Sequence, residues 1–298
     1  MIPGTQSLPV LPPPDGALPP PAVGLRLLTW PALTVPALGG PAAVAAVTAR
    51  AGGVSDGPYA TLNLSLNVGD DPARVLENRR RLAAAFEARL EDFVFARQVH
   101  GAGVAVVGDA DRGSGAYSLE DAVGDVDALV TTTPGVVLAI LTADCLPVVL
   151  HDPVAGVLAC VHAGWRGTVA GVTAAAVAAL RELGSRPSDI VAGLGPAIAG
   201  DRYQVGPDVH EAVTAAFGAA APGFLRPDLR PGASPGRWLL DLSAANRHAL
   251  RAAGVPDAQI HASAISTGTG DFFSDRAARP CGRLALIARL PEPMDVTT

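Results

Sequence analysis

Two apolar runs, 147–151 and 156–162, are separated only by Asp152-Pro153-Val154-Ala155. So short a connection joins antiparallel neighbours, because a parallel pair needs a crossover of a dozen residues or more. The chain must therefore fold around a hairpin. Other short runs rich in Val, Leu and Ala are expected as strands at 43–49, 102–107, 126–131, 136–142, 190–195, 237–241 and 283–290. Helices fall between them. In Asp71-Pro72-Ala73-Arg74 an acidic cap precedes proline at the first helical position, and Leu76, Leu82, Phe86 and Leu90 give an apolar side to about residue 90. Val169, Val172, Ala176, Leu180 and Leu183 keep helical spacing from about Gly167 until Gly184, and similar patterns span Asp208–Phe217 and Ser243–Ala253. A hairpin among interspersed helices favours an α+β fold over a doubly wound sheet.

Composition narrows the chemistry. The 298 residues include 22 arginines and no lysine, which excludes Schiff-base, pyridoxal and Walker-A classes, since each needs a lysine. A net charge of −6 without a basic run argues against nucleic-acid binding. No window offers about 18 uninterrupted strongly apolar residues, so no membrane span is expected. Cys145, Cys160 and Cys281 are odd in number and widely spaced, which speaks against a disulfide framework. Residues 1–24 hold eight prolines and one charge, Asp15, and lack the basic start of a signal peptide. They are expected to form an extended, poorly ordered arm before a single domain at 25–298, with 221–236 a surface loop rather than a boundary. A cytoplasmic monomer is expected.

The segment Leu141–Gly167 carries the chemistry. Cys145 precedes one arm of the hairpin and His162 closes the other, so strand pairing brings both to one end of the sheet. A lone cysteine in an apolar strand is more often a small buried hydrophobe; convergence on a histidine sets this one apart. The pair suits a nucleophile and its base, or two ligands of a zinc site with the fourth position open. His100, before Gly101 at the end of a strand-like segment, is the natural third ligand. Gly164, with Arg166 behind it, opens a helix whose N–H groups suit an anion such as phosphate. Upstream, Arg50 precedes Gly52-Gly53, and Asn63 lies between two leucines; such turns let backbone approach a ligand or serve as plain turn chemistry. Asp144 is an acid–base candidate by adjacency. His151, His210, His248 and His261 are expected to be packing or surface residues.

These pieces also carry a resemblance. RAGGVSDGPYATLNLSLNVGDD, ENRRRL, RQVHG, VDALVT, LAILTADCLPVVLHDP, VHAGWRGTVAGV, GLGPAI, LDLSAANR and FFSDR, in register from about 44 to 290, resemble the bacterial laccase-domain family. That family is also called the multicopper polyphenol oxidase or purine nucleoside phosphorylase-type family. The resemblance implies layered mixed sheets flanked by helices, in a cysteine-hydrolase-like αββα arrangement. It implies zinc or copper held by His100, Cys145 and His162, and it puts Arg50 and Arg166 near the site. It further implies phosphorolysis of adenosine, inosine and methylthioadenosine, and deamination of adenosine, with phosphate and a purine nucleoside as the partners. Two other functions stand beside this one: a Cys–His amidase editing peptidoglycan precursors, and a non-catalytic metal-containing binding protein. The sequence departs from the family at Ala199-Gly200-Asp201-Arg202, where many relatives have cysteines, and at Ser263 and Ser266, where a Cys-Thr pair is common. A four-copper oxidase needs on the order of ten histidines, largely as His-x-His pairs. The chain has six and no such pair, so a multicopper mechanism is not expected.

Overall fold

The computed structural model describes residues 5–6, 25–29 and 43–291. In chain order its strands are β1 (Thr5–Gln6), β2 (Leu27–Thr29), β3 (Val44–Thr48), β4 (Phe93–Phe95), β5 (Val104–Val106), β6 (Ala128–Thr131), β7 (Val137–Thr142), β8 (Leu146–Asp152) and β9 (Val157–Ala163). They continue with β10 (Val191–Leu194), β11 (Gln204–Val205), β12 (Leu225–Pro227), β13 (Trp238–Leu240), β14 (Ile260–Ala262) and β15 (Leu284–Arg289). The helices are α1 (Pro72–Ala85), α2 (Trp165–Ala170), α3 (Val172–Glu182), α4 (Pro207–Phe217) and α5 (Leu242–Ala252). Apart from β1, the proline-rich arm lies outside the described residues, as does any test of its order.

β8 and β9 form the expected hairpin, with Leu146 opposite Ala163 and Asp152 opposite Val157. Asp152 closes the turn, its Oδ1 accepting the N–H groups of Val154 and Ala155 at 2.8 and 2.9 Å. Both strands are buried on both faces. Val148 and Leu150 pack to one side and Val149 to the other; in β9, Ala159 and Val161 oppose Leu158 and Cys160 in the same way. That is why these strands read as continuous apolar runs without alternation.

Two six-stranded sheets result, in the orders β1-β2-β3-β15-β7-β4 and β14-β10-β8-β9-β6-β5. Leu138, Ile140, Leu286 and Ala288 of the first meet Leu129, Val149, Leu158 and Cys160 of the second in a shared core. α1 covers the outer face of the first sheet, Leu82, Ala83 and Phe86 packing on Val137, Ala139 and Ile287. Helices α3, α4 and α5 cover the outer face of the second through residues such as Ala176, Leu180, Val213 and Leu250. Each fully buried Leu or Val contributes about 1.5–3 kcal/mol over exposure. The layers are helix, sheet, sheet, helix, as expected for the α+β class. No helix among the described residues is long and apolar enough to cross a membrane.

Three expected boundaries shift. The helix expected from Gly167 starts at Trp165 and breaks at Gly171, whose φ of +84° ends α2 and starts α3. α1 ends at Ala85, five residues early, because Phe86 leaves helical geometry and Glu87 turns at φ +52°. Within 221–236, β12 joins β13 and β11 in a small third sheet, so this stretch is not wholly loop.

Candidate metal centre

The hairpin register builds the site. Leu146 pairs with Ala163, so Cys145 and Gly164, one step further, face each other beyond the end of the sheet. On the far side of β9, Ala128 pairs with Val161, and the preceding Asp127 lies beside His162, its carbonyl accepting the His162 N–H at 2.7 Å. β5 runs parallel to β6, which delivers the loop carrying His100 to the same end. Gln98 clamps that loop to β7, donating to the Leu141 carbonyl at 2.7 Å and accepting the Leu141 N–H at 2.8 Å.

One ligand atom each from His100, Cys145 and His162 falls within 4.8 Å of the others. The imidazole centroids are 4.8 Å apart with planes at 75°. His162 is buried, Cys145 half-buried and His100 exposed, so the group opens to solvent on the His100 side. His100 (φ +61°) and Asp144 (φ +86°) hold the left-handed backbone conformation that non-glycine residues avoid, strain of the kind that gathers at functional sites. Gly164 is required here: a Cβ would sit 2.8 Å from Cys145 Sγ and 3.1 Å from His100 Cδ2.

Asp127, absent from the expected set, completes the arrangement. It is fully buried, and its Oδ1 lies 2.8 Å from His162 Nδ1, which leaves Nε2 for a cation. The same carboxylate accepts the backbone N–H groups of Val99, His100 and Gly101 at 3.3, 2.9 and 2.6 Å. Burial opposes its ionisation, but the His162 hydrogen bond and these N–H groups hold it below the usual carboxylate range. Burial likewise opposes charge on Cys145 and His162. The thiol is nonetheless pulled down by His162 and His100, and His162 is pushed up by Cys145 and Asp127. A thiolate with two imidazoles, one braced by a carboxylate, fits zinc with a fourth position free, and also suits copper.

The chain matches the family described as multi-copper polyphenol oxidoreductase laccase over residues 44–290. It belongs to that family. It is 44% identical over 271 residues to a purine nucleoside phosphorylase of Deinococcus radiodurans, covering 91% of this chain and 95% of that one. Over 202 residues it is 41% identical to adenosine deaminase RL5 of an unknown prokaryotic organism, covering 68% and 75% of the two chains. The crystal structure of YlmD from Geobacillus stearothermophilus superposes with a TM-score of 0.80 at 38% identity, covering 92% of this chain and 98% of that one. The αββα layering is thus shared with solved members of the family.

The six histidines divide two and four. Outside the triad, His151 lies 3.2 Å from the Val157 carbonyl inside the hairpin, and His210 stacks on Trp238 at 4.1 Å. His248 sits beside Phe217 and Phe224, and His261 is in β14. Among the described residues, the triad is the one such group of His, Cys and acidic side chains.

The remaining expected site residues fare differently. Gly164 lies against the triad. Arg166, two residues on, is exposed and lies over the Trp165 ring at 4.3 Å. Arg50 donates from Nε to the Ala60 carbonyl at 2.9 Å and lies 4.9 Å over Phe273, which packs with Ala143 near the site. Asp144 is no free acid–base group: Oδ1 accepts from Thr267 at 2.5 Å and Oδ2 from the Arg276 N–H at 2.7 Å. It fastens the 267–276 loop to the Cys145 turn. Asn63 is likewise a correction. Fully buried, its amide donates to the Ser65 carbonyl and Asp70, and its Oδ1 accepts the N–H groups of Ser65 and Arg283. Both polar atoms of the Asn63 side chain are thus engaged within the fold. Asn63→Ala is therefore expected to cost about 2–3 kcal/mol in denaturant melts and to leave the nucleoside KM within about twofold. A large rise in KM at unchanged stability would restore Asn63 to the binding site.

Proposed function

We propose that the chain is a metal-dependent purine nucleoside enzyme that cleaves adenosine, inosine and methylthioadenosine with phosphate and deaminates adenosine. The observation that carries this reading is the His100–Cys145–His162 group open on one side, in a chain 44% identical to a purine nucleoside phosphorylase. A zinc ion held by these residues would supply Lewis acidity and favour deprotonation of a water in its open position. The chain's own groups do the rest. Asp127 holds His162 in one tautomer, Gln98 fixes the His100 loop, and Gly164 keeps the approach to the sulfur clear. In phosphorolysis a phosphate oxygen bonds to C1′ as the C1′–N9 bond breaks, and the purine leaves with the electron pair and takes up a proton. Arg166, exposed two residues beyond Gly164, is the cation assigned to phosphate, with Arg50, which lies over Phe273, as the second. In deamination, water adds at C6 and ammonia departs.

A second reading is favoured by the Cys145–His162–Asp127 alignment, which also suits a Cys–His amidase with an orienting carboxylate. Such an enzyme has no need of His100 at the sulfur. Chromatography of adenosine incubations separates the two. The nucleoside enzyme yields adenine and ribose 1-phosphate with phosphate present, inosine and ammonia without it, and neither after chelation. No adenosine product under any of these conditions, with chelator-resistant and alkylation-sensitive cleavage of a peptidoglycan-precursor amide, would favour the amidase and overturn the first reading.

A further inference from the structure

Among the described residues twelve arginines pair with a carboxylate, as Arg97 does with Asp125 and Arg283 with Asp275, and ten do not. Arg166 and Arg276 are two of those ten, and both are exposed. Each instead lies over an aromatic ring, Arg166 over Trp165 at 4.3 Å and Arg276 over Tyr203 at 5.0 Å. A guanidinium lying on a ring keeps its in-plane N–H donors for an oxyanion. Arg276 spends one on the Gln204 carbonyl at 2.8 Å and is otherwise exposed. Its backbone N–H is tied to Asp144, next to Cys145, so the 267–276 loop that carries Arg276 is fastened beside the Cys145 turn.

Tyr203 lies beneath Arg276. Its backbone is fixed, the N–H donating to the Ala199 carbonyl and the carbonyl accepting from Leu240. Its ring packs partly against the core, and its hydroxyl has no partner among the described residues. The charges of Cys145, Arg276, Asp144 and Arg166 all reach the phenol; burial first and then Cys145 push it up to about 12, so it stays a proton donor at neutral pH.

We propose that Arg276 and Tyr203, with Arg166, form an oxyanion subsite beside the triad that takes inorganic phosphate. The choice of phosphate rests on the phosphorolysis proposed above; the subsite itself rests on Arg276 lying over Tyr203 at 5.0 Å, on the tie of its backbone N–H to Asp144 beside Cys145, and on a tyrosine hydroxyl without a partner among the described residues.

Calorimetric titration of the zinc-loaded 298-residue chain with inorganic phosphate at constant ionic strength, with chloride as control, tests it without any turnover. Saturable phosphate binding is expected, weakened by about 10- to 100-fold in Arg276→Gln and about tenfold in Tyr203→Phe, as for loss of a hydrogen bond to a charged group. Arg276→Lys should recover part of the loss, and circular dichroism melts check that each variant is folded. In phosphorolysis assays the phosphate KM should rise while the nucleoside KM holds. Absence of phosphate binding above the chloride control, or wild-type binding by folded Arg276→Gln, overturns the subsite; wild-type binding by Tyr203→Phe removes the tyrosine from it. Arg276-dependent phosphate binding without nucleoside cleavage would leave the subsite standing and overturn the proposed reaction instead.

Discussion

Cys145→Ala is expected to lose bound zinc and purine nucleoside turnover together. As a metal ligand the sulfur would be the anionic member of the triad, and without it two imidazoles remain, their centroids 4.8 Å apart. Outer-shell partners of a metal site typically cost 10- to 100-fold when removed, so loss of an inner ligand should reduce affinity and turnover by more than about 100-fold. The fold should persist, because Cys145 is only half-buried and lies beyond the last pair of the hairpin. Metal content by mass spectrometry, set beside metal-free melting temperatures of variant and wild type, checks both halves. A variant that keeps stoichiometric zinc would remove Cys145 from the centre.

Asp127→Asn should strike two ligands at once. One carboxylate orients the His162 ring and also receives three consecutive N–H groups around His100. An amide has nearly the same shape, but its NH2 must face a donor whichever way it is turned. Zinc affinity is expected to fall about 10- to 100-fold and the metal-free protein to lose about 1–3 kcal/mol. Competition with a chromophoric chelator reads the first and denaturant melts the second. Wild-type affinity in this variant would show that the alignment is incidental to metal binding.

The hairpin explains why so much of the centre was legible in the sequence. Four residues between two apolar runs determine the pairing, the pairing determines which ends meet, and Cys145 and His162 sit at those ends. The helices were legible from caps and spacing, except where Gly171 interrupts one, since a glycine within an apolar period does not announce its φ. The strands β4, β11, β12 and β14 have two or three residues each, too few to show alternation. Asp127 went unnoticed because an acid before an apolar strand resembles ordinary strand-end polarity. Its signal was available in VDALVT, since a histidine ligand usually has a carboxylate or carbonyl behind it. Asn63 and Asp144 misled in the opposite direction. Polar residues near a site look like ligand binders until their hydrogen bonds are traced, and here both side chains are tied to neighbouring loops.

X-ray absorption at the zinc edge of the loaded protein tests the central claim most directly. Cys145, His100 and His162 around one ion predict a single sulfur at about 2.3 Å with nitrogen or oxygen neighbours at about 2.0–2.1 Å. A first shell without sulfur, or one that is unchanged in Cys145→Ala, would contradict the account.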